Sequence, residues 1–389
     1  MRFSKILKYT VCLFFVLFIV FLSIKLKDTD SRHTSLKIST KATNCDVTFW
    51  VTGDAMMHLS QYHAVQNPTT HIPVFDSCYT EIRSIVKKAD VRIINLETTL
   101  AAPPYSGYPR FCAPREYADA LVRAGFNLFV MANNHACDRG RKGIIGNIHY
   151  ADSAQIGHTG IFRNKAERDS LYPLILKIKG WKIALLNATY GTNGIGVPSP
   201  CIVNRIDTIE IKKDIARAKA QNVDAILMAI HWGKEYQHLP NSRQKAIAAF
   251  LLREGVDVII GSHPHVVQPV ELIHTPDSLA NARLVIWSLG NFISNQKDTL
   301  TDAGLMVGFT LKRNHSTYHP DVEDIKFLPF YRHKTTNKPG YLLLPGSCTK
   351  KRLRNLISSR EERKKFKDVM NNTRKKMGKD KRISEYQDN

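Results

Sequence analysis

No two of the chain's seven cysteines are spaced as Cys-x-x-Cys; they stand scattered at 12, 45, 78, 112, 137, 201 and 348. That absence argues against a thiolate zinc site, and seven cysteines in 389 residues are too few for a disulfide scaffold. No zinc-finger spacing, RNP-like sequence or helix-turn-helix signature occurs, so nucleic acid is not an expected partner. Acidic residues are in short supply, 34 against 56 Lys and Arg, for a formal net charge of +22. Part of the excess is concentrated in residues 350–389, which hold fifteen Lys/Arg and six Asp/Glu. That balance points to an anionic partner, a polyanion or lipid headgroups. Internal repeats are absent, and no linker interrupts residues 46–335. With 43% hydrophobic residues that span can bury a sizeable core as one domain.

Charge is also missing from Tyr9 to Ile24, and Arg2, Lys5 and Lys8 precede the run. Residues 6–26 span roughly 30 Å as a helix, enough to cross a bilayer if Lys8 and Lys25 snorkel. No small-x-small cleavage site follows in Phe21-Leu22-Ser23-Ile24-Lys25. The expectation is an uncleaved signal anchor at 6–26 behind a basic cytoplasmic stub at 1–5. Its early cations place the N-terminus inside and the main body outside. Residues 27–45 read as a polar tether, 46–335 as the domain, and 336–389 as a basic tail, a solvated helix or disordered.

Within 46–335, short β-branched apolar runs alternate with helical periodicity. Strands are expected at 46–51, 91–94, 128–131, 181–186, 225–230, 256–260 and 284–287, and helices at 76–90, 117–124, 208–221 and 241–254. Residues 304–312 and 324–330 read as paired strands of a second sheet. The fold class is α/β.

Potential ligands recur just beyond these strands: Asp54, Glu97, Asn134-His135, His231, and His263-Pro264-His265. Strand ends on one edge of a sheet converge in space even when far apart in sequence. Pro264 fixes its own φ and restricts His263, so the two imidazoles are expected in a stiff, extended turn. They serve one ion each of a two-metal site, or the same ion. Carboxylates, imidazoles and an amide without thiolate suit Mn, Fe or Zn, as one or two divalent ions. Two ions sharing a carboxylate would polarise a phosphoryl or carbonyl oxygen and generate hydroxide at neutral pH. His135, beside Asn134, is then free to act as general acid, with Asp138 orienting it or capping a helix. Arg110 and Arg115 are candidates for reading a carboxylate or phosphate, and Glu235 and Tyr236 for contacting substrate.

Seven stretches in order carry a family resemblance: Gly53-Asp54-x-Met56, Asn95-Leu96-Glu97, Phe111-x-Ala113-Pro114, Ala132-Asn133-Asn134-His135-x-x-Asp138-x-Gly140, His231-Trp232-Gly233-x-Glu235-Tyr236, Gly261-x-His263-Pro264-His265-Val266-x-Gln268 and Ser288-Leu289-Gly290-Asn291-Phe292-Ile293. Over about 46–300 the chain resembles the CapA family of capsule and poly-γ-glutamate synthesis proteins. The resemblance implies a calcineurin-like metallophosphoesterase fold, a four-layer α/β/β/α sandwich. By that analogy Asp54 and His265 hold one ion, Glu97 bridges, and Asn134, His231 and His263 hold the other, with His135 as catalytic acid. Two positions depart from the wider superfamily: Met56 stands where a histidine is usual, and Glu97 where the bridge is normally aspartate. His58 or water would have to substitute for the missing ligand. The resemblance further implies a single-pass protein of a bacterial cell membrane, its partners an anionic extracellular polymer, membrane synthase or export proteins, and the bilayer. Its role is then a metal-dependent hydrolase acting on a phosphoryl or acyl centre, or a non-catalytic polymer-binding assembly component.

Overall fold

Strand Val47–Ala55 is buried at every position except Thr48, so both of its faces need a covering layer. The computed structural model describes residues 45–274, 282–314, 319–335, 340–378 and 380–388, and places this strand within a nine-stranded mixed sheet. Val91–Leu96, Leu128–Val130 and Gly157–Thr159 continue the sheet on one side in parallel. On the other side Ala303–Lys312, Asp321–Lys334 and Tyr341–Pro345 follow antiparallel. A second sheet of six strands runs Val270–Ile273, Arg283–Ile286, Val258–Ser262, Ala225–His231, Trp181–Thr189, Leu174–Ile178. Its four inner strands are parallel and its two edges antiparallel.

Period-2 alternation sorts the apolar side chains between layers. Phe49, Val51, Ile93 and Val307 of the first sheet meet Ile183, Leu185, Leu227 and Ile260 of the second. The first sheet turns Trp50, Ile94 and Phe129 outward, onto Tyr117 and Leu121 of helix Arg115–Ala124 and Ile144 and Ile148 of helix Gly140–Ser153. Leu186, Met228 and Ile259 of the second sheet pack on Ile211 and Ile215 of helix Thr208–Ala220 and Leu251 of helix Ser242–Arg253. The layers are therefore helix, sheet, sheet, helix, the sandwich expected from the sequence. The helices start where side chains cap them: Asp207 accepts from the amides of Ile209 and Glu210, and Asn241 forms a reciprocal capping box with Gln244.

Several expectations are corrected. Residues 76–90 form a 3₁₀ segment, Phe75–Tyr79, and a single α-turn, Arg83–Val86, in place of one helix. Ala303–Lys312 and Asp321–Lys334 belong to the first sheet, because the former pairs directly with Val47–Ala55. The region after 335 is no solvated tail. Tyr341–Pro345 and Ile383–Glu385 both pair with Asp321–Lys334, and helices Lys350–Leu356 and Arg360–Lys376 pack on that edge through Leu353, Phe366, Val369 and Met370. Phe366, Val369, Met370 and Thr373 are spaced i, i+3, i+4, i+7, a one-sided apolar stripe that the surrounding charge conceals. The expected stub and anchor, and the tether as far as residue 44, lie outside the described residues. Among the described residues no helix is long and apolar enough to cross a membrane.

Candidate metal centre

The carboxyl ends of parallel strands from both sheets meet at one place. Asp54 ends the first strand beyond a register shift between Thr52 and Asp54, and a bulge of this kind re-aims the following side chain. Gly53 occupies it because a Cβ there would lie 1.9 Å from the Gly290 carbonyl oxygen. Glu97 follows Val91–Leu96, Asn134 and His135 follow Leu128–Val130, His231 ends its strand, and His263 and His265 follow Val258–Ser262. All seven side chains are at most 4% exposed. The His-Pro-His turn is not extended: His263 has φ 99° and His265 φ 58°. Left-handed backbone at non-glycine residues costs on the order of 1–3 kcal/mol and concentrates at functional sites. Here it is offset by fixed contacts, since the His263 amide donates to Asp54 Oδ2 at 3.2 Å and the Tyr236 amide donates to the Pro264 carbonyl at 2.8 Å.

Asp54 Oδ2 lies 3.1 Å from His265 Nδ1, and Asp54 Oδ1 accepts from Asn95 Nδ2 at 2.7 Å. His231 Nε2 is 2.7 Å from Asn134 Oδ1 and 3.4 Å from Glu97 Oε1. Two groups of ligand atoms, Asp54–Glu97–His231 and Glu97–His263–His265, each fall within 4.8 Å, and Glu97 is common to both. This grouping joins His263 with His265, where the family analogy separates them. His58 belongs to neither group; its Nδ1 accepts from the Asn295 amide at 3.2 Å.

The electrostatics are those of a site built around positive charge. Burial alone would raise Asp54, but the hydrogen bond from His265, the charges of His231 and His265 and the Asn95 amide hold it well below the ordinary range. Glu97 moves the other way, raised well above 4.5 by burial and then by the neighbouring Asp54 charge. Desolvation lowers His231 to about 3 and His263 well below 6.5, so both imidazoles are neutral and hold lone pairs ready for a cation. Glu97 Oε1 and His263 Nδ1 are buried without a hydrogen-bond partner. An unpartnered carboxylate oxygen and imidazole nitrogen inside one cluster are costly unless a ligand satisfies them. The donor set therefore fits a divalent metal: oxygen and nitrogen, no sulfur.

His135 stands beside this cluster. Its Nδ1 is 2.7 Å from Asp138 Oδ2, which also accepts from the Phe111 amide at 2.6 Å. With Nδ1 facing a carboxylate, the proton sits on Nδ1 and the lone pair on Nε2. Four other residues expected at the site are less fixed. Glu235 and Tyr236 are exposed, and the Tyr236 ring lies 6.4 Å from His265. Arg110 is exposed, one residue from Phe111, whose ring meets His135 edge-on at 4.6 Å. Arg115 is turned to Asp119 at 3.6 Å and to the Tyr150 ring at 5.5 Å, and touches none of the cluster.

Several residues enter unforeseen. Asn95 Nδ2 reaches Asp54, Glu97 and His231 at 2.7, 3.4 and 3.3 Å. Asn291 Oδ1 lies 3.0 Å from His265 Nδ1. Asn193 accepts from Asn134 Nδ2 at 3.2 Å, and its own Nδ2 lies 3.5 Å from His135 Nε2. The Tyr190 ring covers His263 at 4.4 Å while 38% exposed. Asn95 and Asn291 lie inside sequence stretches singled out above; the Tyr190–Asn193 loop carried no such signal.

The model of the bacterial capsule synthesis protein family PGA_cap matches residues 48–296. Capsule biosynthesis protein CapA of Bacillus anthracis is 26% identical over 283 residues, 70% of this chain and 65% of that one. PGA biosynthesis protein CapA of Bacillus subtilis is 31% identical over 207 residues, 51% of each chain. The chain thus spans less than two thirds of the length of these relatives. Among solved structures, Haemophilus influenzae NAD nucleotidase aligns over 89% of this chain and 58% of its own, at 12% identity and a TM-score of 0.47. The family match takes in every residue of the cluster, from Asp54 to His265, and the chain belongs to the bacterial capsule synthesis protein PGA_cap family.

Proposed function

We propose that the protein is a membrane-anchored, outward-facing, metal-dependent hydrolase of capsule or poly-γ-glutamate-type polymer production. It works on a phosphoryl or acyl centre with one or two divalent ions, Mn, Fe or Zn. The observation that carries this reading is the pair of buried, unpartnered ligand atoms, Glu97 Oε1 and His263 Nδ1, within the cluster. A divalent ion bound there would polarise a phosphoryl or carbonyl oxygen and make a water a better nucleophile at neutral pH. Asp54, Glu97, His231, His263 and His265 would hold it, with Asn134 Oδ1 beside His231 Nε2. Asn95 and Asn291 fix the ligands that they touch, and Tyr190 shields His263 from water. His135 carries a proton to or from the leaving group at Nε2, with Asp138 fixing its ring. Glu235 and Tyr236, exposed and with the Tyr236 ring 6.4 Å from His265, are the proposed substrate contacts, with exposed Arg110 as a further one.

The first test is elemental analysis of the full chain beside a His263→Ala/His265→Ala double mutant. One or two ions per chain, lost in the mutant, are expected. No ion in metal-replete protein ends the hydrolase reading. A second reading, a non-catalytic component that binds the polymer and a membrane synthase, draws on Met56 and on His58 being turned to Asn295. Substituting His135→Gln separates the two: an assembly component still supports polymer production, and a hydrolase does not.

A further inference from the structure

Helix Arg360–Lys376 presents to solvent four cations that make no ion pair among the described residues. Its buried face is Phe366, Val369, Met370 and Thr373. Arg360, Lys364, Lys367 and Lys375 are all exposed and lie at i, i+4, i+7 and i+15, within about 80° of one another on the face away from the buried residues, with exposed Glu361 and Asp368 at its edge. None of the four has an ion-pair partner among the described residues, whereas their neighbours do: Lys365 pairs with Asp302 at 2.7 Å and Arg374 with Glu385 at 2.7 Å. Arg360 and Lys364 at i, i+4 and Lys364 and Lys367 at i, i+3 repel, and Glu361 and Asp368, three before and four after Lys364, offset only part of that repulsion. The stripe is about 22 Å long at 1.5 Å per residue.

The helix is also tied at two points to the metal centre. Asp302, the partner of Lys365, follows Thr301, whose carbonyl accepts from Asn291 Nδ2 at 2.9 Å, and Asn291 contacts His265. At the other end Lys376 Nζ donates to the Val267 carbonyl at 2.9 Å and lies 2.8 Å from His238 Nδ1. Val267 is two residues beyond His265, and His238 two beyond Tyr236. The stripe thus belongs to the element that braces both the His-Pro-His turn and the loop bearing Glu235 and Tyr236.

We infer that the Arg360–Lys364–Lys367–Lys375 stripe is a docking surface for a linear polycarboxylate, along which an acidic polymer chain lies beside the metal centre. Linear spacing of single charges suits a polymer with a charge on each repeat. Three of the four are lysines, point charges that need no bidentate phosphate geometry. A lipid surface fits less well, because a membrane-binding helix inserts an apolar face and here that face is buried in the protein. No aromatic side chain lies on the stripe to stack a nucleic-acid base. The choice of polymer rests on the function proposed above; the surface itself does not.

The test uses the full-length chain in neutral detergent and fluorescently labelled polyglutamate. Binding is measured across a salt series for wild type, for Arg360→Glu/Lys364→Glu/Lys367→Glu/Lys375→Glu, and for Arg243→Glu/Lys245→Glu on another helix. Melting curves establish that all three are folded. The expected result is salt-sensitive binding by wild type, weakened about tenfold or more and with a flatter salt dependence in the fourfold variant, and within about twofold in the control. Single Lys364→Gln and Lys367→Gln variants give smaller losses in the same direction if the fourfold variant is unstable. Absence of polymer binding at low salt, or equal loss in the control, overturns the proposal. So does binding to anionic vesicles that depends on the stripe while polyglutamate binding does not. Metal content of the fourfold variant stays at the wild-type level; its loss in wild type would sink the hydrolase reading and leave the docking result standing.

Discussion

Asp138 Oδ2 accepts two hydrogen bonds, one from His135 Nδ1 at 2.7 Å and one from the Phe111 amide at 2.6 Å. The same oxygen therefore orients the imidazole and pins the loop whose Phe111 ring packs against it. Asp138→Asn removes the charge and offers an N–H or a weaker acceptor to Nδ1, so the tautomer with a free Nε2 lone pair loses its support. For a proton-transfer residue the expected loss is on the order of 10²–10⁴-fold. Polymer output from cells carrying His135→Gln or Asp138→Asn, beside the metal content of the purified variants, checks it. Lost output with retained metal is expected; lost metal would make these residues part of the ion's support instead.

Glu97 sets the pH response of the metal-free protein. Its carboxyl is raised well above 4.5 by burial and then by Asp54. The stability it contributes is thus fully present below its unfolded pKa and lost as pH rises through the folded one. Asp54 is depressed, and its contribution is lost only on acidification. His231, lowered to about 3, and His58, lowered to about 4, stay neutral above those values. Chelated wild type is therefore expected to melt at falling temperature as pH rises above the ordinary glutamate range, and Glu97→Gln to lack this component. Added divalent metal raises the melting temperature more at the higher pH, because the ion displaces a proton. A pH-independent metal response would contradict it.

Asn95 is the residue whose loss tests the metal centre indirectly. Its amide spans Asp54, Glu97 and His231, and its carbonyl accepts from Asn133 Nδ2 at 3.1 Å. Partners of this kind typically change metal affinity by about 10–100-fold when removed. Asn95→Leu is expected to weaken binding by that amount, read by competition with a chelator. An affinity within about twofold of wild type would leave Asn95 a packing residue.

The contrast between Asn95 and Glu97 shows what the sequence makes legible. Glu97 stands out because a carboxylate just beyond an apolar β-branched run has few reasons to be buried. Asn95 lies inside the strand, and an amide there reads like any other polar residue until its neighbours are known. The strands converged as expected because parallel β-α-β units put every loop of one polarity on one edge. That two sheets share the edge is a long-range fact, seen where Asn291–Ile293, following Arg283–Ile286 of the second sheet, pairs with Asp54 and Ala55 of the first. The region after 335 was misread for a related reason. Lysine and arginine dominate its composition, and the four side chains at 366, 369, 370 and 373 that bury its helix become informative only at helical period.

That correction makes a prediction. A chain ending at residue 335 loses Leu342, Leu344, Leu353, Ile357, Phe366, Val369 and Met370 from one cluster with Tyr331. At roughly 1.5–3 kcal/mol for each large apolar side chain, the loss exceeds ~10 kcal/mol. That matches the whole net stability of a typical domain, about 5–15 kcal/mol. The truncated chain is expected to be insoluble or unfolded by circular dichroism. Cooperative melting near the full-length temperature would mean that the C-terminal helices merely decorate the sandwich.

Gly261 offers a sharper test of how the sheet aims the histidines. It lies in strand Val258–Ser262, two residues before His263, and its carbonyl accepts from the Leu289 amide at 3.1 Å. A Cβ at this position would sit 2.1 Å from the Trp287 carbonyl oxygen and 2.7 Å from Trp232 Nε1. Those two groups are hydrogen-bonded to each other at 3.0 Å, so neither yields without breaking the link between the His231-Trp232 turn and the neighbouring strand. Gly261→Ala is expected to cost about 3 kcal/mol or more and to lose metal as His231 and His263 shift apart. Gly196→Ala is the control, since its Cβ meets nothing within 4 Å, and it should stay within about 0.5 kcal/mol of wild type. Denaturant melts and elemental analysis of both variants decide the matter. A Gly261→Ala protein that keeps its stability but loses its metal would show the strand absorbing the methyl at the expense of the site, and one that keeps both would mean that the neighbouring strands of the second sheet are not held tightly at this point.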